Sequence, residues 1–165
     1  MQVDLATYVS ANPSSNFASL LKNSVHYTNA RCSMPSDSFP GTMALFTGAL
    51  PRTHGIWYDD TWSRDLYPFS ANCSGTPGAN VLNDESIDVN STALDGGGGF
   101  NITHFTWAKT AWGGCSYVLP HNFVRSRTIF EVVRNNGGFT KVTDKHPAYE
   151  ILNGPSGTGL YVHSY

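Results

Sequence analysis

The sequence predicts an α/β fold, on three observations. Thr128-Ile-Phe-Glu131 has the form of a helix-opening capping box; Gly137-Gly138 then closes that helix, and Phe139-Thr-Lys-Val-Thr143 alternates like a strand. Helix, glycine turn, strand is the connection of a layered α/β domain. Earlier in the chain, Pro40 suits the first turn of a helix and Gly48 its end, with the apolar run Met43-Ala-Leu-Phe46 between them. Third, 165 residues with 40% hydrophobic and only 13% charged side chains can bury a real core.

Taken in order, Asn12 to Lys22 opens on Asn-Pro-Ser-Ser and places Phe17, Leu20 and Leu21 at helical spacing, so a short amphipathic helix is expected there. Val25, Tyr27 and Ala30 alternate with polar residues and predict a strand running up to Cys32. A loop leads to the Pro40 helix. Residues 49–78, rich in Pro, Gly, Asp and aromatics, read as irregular surface. Gly96 to Gly99 form a flexible turn near 95–100, within a single domain spanning 1–165. The stretch 100–120 carries no decisive pattern. In the helix after Thr128, Ile129, Val132 and Val133 form the apolar stripe. No internal repeat is present.

A net charge of -2 without a basic run gives no nucleic-acid-binding surface, and no apolar run has membrane-helix length. The opening MQVDLATYV has no signal-peptide character. The three cysteines, Cys32, Cys73 and Cys115, are an odd count whose pairing the sequence does not settle. Three sequons in one polar stretch, at Asn72, Asn90 and Asn101, make these glycosylation candidates and favour a secreted or luminal protein.

The chemistry-bearing stretch is Met34-Pro-Ser-Asp-Ser-Phe-Pro-Gly-Thr-Met-Ala-Leu-Phe-Thr-Gly48, continued by Pro51-Arg-Thr-His-Gly-Ile56. A serine at a helix start lies where backbone N–H groups and the helix dipole favour an anion, so Ser38 and a phosphate could meet there. A serine hydroxyl needs a base or a metal to attack. The spacing shows no Ser–His–Asp set, so a metal is the more natural activator. The alternative is that Ser38 is an ordinary helix cap.

This pattern resembles the nucleophile region of type I phosphodiesterases and nucleotide pyrophosphatases, of the alkaline-phosphatase superfamily. Ser38, Pro40, Thr47-Gly48, Pro51 and His54-Gly55 carry the likeness; Gly55-Ile-Trp-Tyr-Asp59, Pro120-His-Asn122, Arg127-Thr-Ile-Phe130 and Asp144-Lys-His-Pro-Ala-Tyr149 extend it over most of the chain. The resemblance implies a three-layer α/β domain that hydrolyses phosphodiesters or nucleotide pyrophosphates. Ser38 would be both nucleophile and metal ligand, with two divalent metal ions, zinc, and a covalent phosphoseryl intermediate. Sulfatases share the helix, but Gly41-Thr42 stands where their Ser-Arg is required.

The resemblance also implies a first strand ending in a metal-binding Asp-Gly. Asp4 is followed by Leu5 and is not given that role. The chain therefore reads as a partial alkaline-phosphatase-like domain, lacking the first strand and the C-terminal half that carries further ligands. A non-catalytic remnant or secreted scaffold is the rival reading. Relatives place an Asn, which donates to a phosphate oxygen, where Asp59 stands. Asp59, Lys145 and His146 are the candidate substrate-binding residues, with Asp144 able to orient the last two; a turn around Asp59-Asp60 and an Asp144-capped loop are the plain alternatives. His54 reads as a structural hydrogen-bonder. Trp57, Tyr58 and Trp62 either stack on a base or cover the core. The substrate is a small phosphodiester or nucleotide; neither its identity nor the oligomeric state is legible.

Overall fold

The structure is a computed structural model that describes residues 2–144 and 146–164. Its contacts divide into two compact units, 1–32 and 33–165.

In the first unit, α1 (Gln2–Ala11) and α2 (Asn16–Lys22) meet through Tyr8 and Phe17, whose rings are edge-to-face at 6.0 Å. Ser15 caps α2, its Oγ accepting from the Ala18 N–H, so the helix opens one turn later than Asn12. Nothing in the sequence reading anticipated α1. The strand expected up to Cys32 does not form. That segment is turn and irregular backbone, with Val25 80% and Tyr27 78% exposed. Alternation stabilises a strand only when one face is buried against a neighbour, and no described strand pairs with this one.

The second unit mixes helices with small sheets. Its elements are α3 (Ser38–Thr47), α4 (Pro51–His54), β1 (Asp60–Ser63), β2 (Tyr67–Pro68), β3 (Ala79–Leu82), β4 (Thr106–Lys109), β5 (Cys115–Tyr117), α5 (Ile129–Asn135), β6 (Lys141–Thr143) and β7 (Val162–Ser164). A 3-10 helix, Pro147–Asn153, follows β6. β1 pairs antiparallel with β3, Asp60 opposite Leu82, and β2, β4 and β5 form an antiparallel three-stranded sheet. β6 and β7 run parallel. The stretch 49–78 is thus more ordered than its composition suggests, because α4, β1 and β2 are paid out of short segments with distant partners. Cys73 and Cys115 form a disulfide, while Cys32 is free and exposed.

The core is built around α3, which buries Phe39 and Met43 against Ile56, Ile87, Phe105 and Val124. The 3-10 helix adds Ala148, Ile151 and Leu152. Gly48 ends α3 in the left-handed region, where the sequence placed the stop. Gly55 ends α4 with φ 91°, and a Cβ there would lie 2.9 Å from the Phe123 carbonyl, so the chain turns closely only because no side chain is present.

α5 begins with the predicted capping box. Thr128 Oγ1 accepts from the Glu131 N–H, and Glu131 Oε2 accepts from the Thr128 N–H. The expected apolar stripe is turned outward, however: Ile129 is 51% exposed and Val132 44%. The inward face belongs to Glu131 and to Phe130, which stacks on Phe46 at 5.1 Å. Burying the carboxylate of the capping box rotates the helix away from the hydrophobic stripe.

Candidate functional site

Ser38 is the first helical residue of α3, and Asp37 before it is the cap. The Asp37 carboxylate accepts from the Ser38 N–H at 3.0 Å and, through its other oxygen, from the Asp59 N–H at 3.2 Å. Asp59 replies across the same gap, its Oδ1 accepting from the Phe39 N–H at 2.8 Å. Two carboxylates therefore clasp the start of α3 to the segment leading into β1. Ser38 itself is exposed, and the reading of it as an ordinary cap fails, because Asp37 fills that role.

The clasp changes what the helix start can do. The Ser38 and Phe39 N–H groups are taken by the two carboxylates, Pro40 has no N–H, and the Gly41 N–H bonds to the Asp37 carbonyl at 3.0 Å. The backbone donors that the sequence reading offered to a phosphate are occupied by the protein's own oxygens.

A cavity of about 60 Å³ opens beside this clasp, lined among others by Ser38, Asp59, Asp84, Glu85, His146 and Tyr149. Burial pushes the Asp59 carboxyl above the usual carboxylate range; the Phe39 N–H opposes this, and the nearby carboxylates of Asp37, Asp84 and Glu85 add to it. Burial likewise raises the Tyr149 phenol, helped by Asp144, Asp59 and Glu85, while a hydrogen bond with Thr42 opposes. The Tyr149 ring lies 5.0 Å from that of Phe39.

His146 reaches the cavity from the loop between β6 and the 3-10 helix. Its N–H donates to Asp144 Oδ1 at 3.2 Å, the loop-capping contact the sequence allowed. Its ring meets a residue the sequence reading did not single out: Nδ1 lies 2.7 Å from Asp88 Oδ2. The Asp88 carboxylate is fully buried and its other oxygen has no hydrogen-bond partner. On the opposite side Nε2 is 3.3 Å from Glu85 Oε1, outside hydrogen-bond geometry. Lys145 lies outside the described residues.

Other candidates stand apart from this cavity. His54 is fully buried, and its Nδ1 accepts from the Ile56 N–H at 3.1 Å. Burial lowers its pKa against the opposing Pro40 carbonyl, which fits the structural role expected of it. Asp60 is exposed within β1. Trp57, Tyr58 and Trp62 are 46%, 51% and 65% exposed, and Trp62 lies over Gly78.

Metal ions fit this donor set poorly. Among the described residues no three His, Cys, Asp or Glu side chains are grouped to hold one, and both Asp37 oxygens and Asp59 Oδ1 are engaged by backbone N–H groups. Asp84 Oδ1 is likewise engaged, by the Ser86 N–H at 2.9 Å.

With this geometry in hand, the class of protein follows from comparison. The chain matches the family model of type I phosphodiesterase / nucleotide pyrophosphatase over residues 5–149, and it belongs to that family. The mixed helix–strand architecture agrees with an α/β domain of the alkaline-phosphatase type. Neither a curated protein nor a solved structure matches the chain. Among the described residues no helix is long and apolar enough to cross a membrane.

Proposed function

We propose that this chain hydrolyses phosphodiester or nucleotide pyrophosphate bonds, with Ser38 as the nucleophile. The observation that carries the reading is the division of labour at α3: Asp37 caps the helix, and the Ser38 side chain is left facing a polar cavity in a member of a hydrolase family. Ser38 Oγ would attack phosphorus, the bond to one leaving oxygen would break, and water would then release the remaining phosphomonoester from the phosphoseryl intermediate and return the serine hydroxyl. Two divalent metal ions, zinc foremost, are expected from membership of the family; the described donors do not fit them, and no step is assigned to them. Asp59, His146 and Lys145 remain the proposed substrate-binding residues. Burial raises the Asp59 pKa, the direction that weakens the repulsion its carboxyl offers a phosphate.

The test is hydrolysis of a chromogenic phosphodiester, with and without added zinc, by this chain and by Ser38→Ala. Turnover that Ser38→Ala abolishes, while unfolding stays within about 0.5 kcal/mol, supports the reading. Turnover unchanged in Ser38→Ala, or none in either protein, sinks it. The second outcome favours the non-catalytic scaffold, for which the occupied N–H donors of α3 are the specific support.

We also propose a secreted or luminal location with N-glycosylation. Supporting it are the Cys73–Cys115 disulfide and the exposure of Asn72 and Asn90. At Asn90 and Asn101 the side-chain oxygen accepts from the Thr hydroxyl two residues on, at 2.7 and 2.6 Å. Enzymatic deglycosylation of protein secreted from eukaryotic cells should lower its mass; an unchanged mass rules this out.

A further inference from the structure

We infer that the aromatic corner of the three-stranded sheet is a docking surface for the protein's own N-glycan, the one attached at Asn72. This rests on the glycosylated, secreted reading, and adds to it which sequon is structural and what its sugar covers.

In antiparallel strands, opposed residues point to one face, and the register sets Tyr67 beside Trp107 and Trp107 beside Tyr117. That face is therefore aromatic across all three strands. One end is closed: Tyr67 is buried, and Lys109 Nζ lies 5.6 Å from the centre of its ring. The other end is open. The Phe69 and Tyr117 rings lie 5.5 and 5.9 Å from that of Trp107, yet Phe69 is 40% and Tyr117 41% exposed. Contiguous rings left to water mark an interaction surface.

Two separate links bring Asn72 to the edge of this surface. Phe69 opens the 3-10 helix Phe69–Ala71, and the Asn72 N–H closes it on the Phe69 carbonyl at 3.3 Å; in such a turn positions three apart share a side. The next residue, Cys73, is bonded to Cys115, their Cα atoms 5.8 Å apart, and Cys115 starts the strand that carries Tyr117. Asn72 is exposed, its φ of 45° is one asparagine tolerates, and among the described residues no hydrogen bond holds its carboxamide. At Asn90 and Asn101 the carboxamide oxygen is engaged by Thr92 and Thr103.

A pyranose suits this surface, because it lays a face of C–H groups on the electron-rich face of a ring while its hydroxyls stay in water. The tether decides between occupants. A free partner must offset the loss of its translational and rotational freedom, whereas a sugar fixed at the rim is held at high effective concentration. Attachment joins Asn72 Nδ2 to the anomeric carbon of a lipid-pyrophosphate-linked oligosaccharide, with one amide proton and the lipid pyrophosphate leaving.

The test uses the full chain secreted from eukaryotic cells. Glycopeptide mass spectrometry should find Asn72 occupied. If Asn90 or Asn101 carries sugar and Asn72 does not, this inference falls and the glycosylated reading stands; if all three are bare, both fall. Thermal unfolding is then compared before and after enzymatic removal of the glycans, in wild-type protein and in Tyr117→Ser, which deletes one ring without touching the sequon. Removal should lower the wild-type midpoint by about 2–4 °C, the shift one modest contact makes in a chain of this size, and should move Tyr117→Ser clearly less. Effects of the sugars elsewhere are common to both proteins and cancel. Equal shifts in the two, or none in wild type, overturn the docking. Should Tyr117→Ser fail to fold, nuclear Overhauser contacts in the wild-type glycoprotein decide: contacts from the first sugar to the Phe69, Trp107 or Tyr117 ring support the inference, and their absence overturns it.

Discussion

Two helix starts in this molecule use the same device and reach opposite ends. At α5 the cap is sealed: Thr128 is fully buried and Glu131 nearly so, and every polar atom of the pair is engaged. Thr128 Oγ1 also donates to the Leu152 carbonyl at 3.0 Å, and Glu131 Oε1 accepts from the Ser156 N–H at 3.0 Å. At α3 the cap is a half-buried Asp37, and the first helical side chain, Ser38, faces a cavity. The sealed start fastens α5 to the 3-10 helix and the loop beyond it. The open start fixes a backbone while leaving a hydroxyl for other work. Hydrogen bonding of the cap to the backbone is common to both; what separates the two helix starts is solvent access to the first turn.

The largest effect expected from breaking this contrast is at the sealed end. Glu131→Ala leaves the Thr128 and Ser156 N–H groups without their acceptor in a water-poor setting, and should cost about 2–5 kcal/mol of unfolding free energy in urea denaturation. A loss below 1 kcal/mol would show that water enters freely and that the two starts differ less than their burial implies. At the open end, Asp37→Ala removes a cap that water can replace, so about 1–2 kcal/mol is expected in the same measurement. A larger loss than that of Glu131→Ala would invert the comparison.

A smaller, pH-dependent effect belongs to Asp59. Its folded pKa is raised, so the folded state holds a proton that the unfolded chain has released. The stability it contributes is therefore full below the ordinary Asp value of 3.8 and is lost as pH rises through the raised folded value. Asp59→Asn, which keeps an oxygen for the Phe39 N–H, should flatten that decline when unfolding midpoints are compared across the window. A decline of unchanged slope would place the raised pKa elsewhere in the cluster.

What the sequence made legible was local. The capping box at Thr128 and Glu131 and the glycine end of α3 are contacts within a few residues, and a pattern of spacing records them directly. The pairings that build the site are not of that kind. Asp37 meets Asp59 across 22 residues, and His146 meets Asp88 across 58. No periodicity encodes which distant acid a histidine will find. Asp84, Glu85 and Asp88 carried a faint signal, an acidic cluster with a capping Asp84, but nothing tied it to residue 146. The strand expected near Val25 and the stripe on α5 failed for one reason: an apolar pattern gives a face, and only the neighbours decide whether it is covered. Gly154 illustrates the same dependence. A Cβ there would lie 2.4 Å from Glu131 Oε2, a constraint visible only once the two segments are together.

The Cys73–Cys115 bond joins positions 42 residues apart, and the acidic segment that furnishes Asp88 lies inside the ring it closes. In the unfolded chain such a ring removes about 4 kcal/mol of conformational freedom on the loop-entropy estimate. Oxidation thus narrows the search by which that segment finds its place beside residue 146. The redox state of the surroundings thereby bears on how readily the interior of the cavity assembles, from a bond that touches none of it.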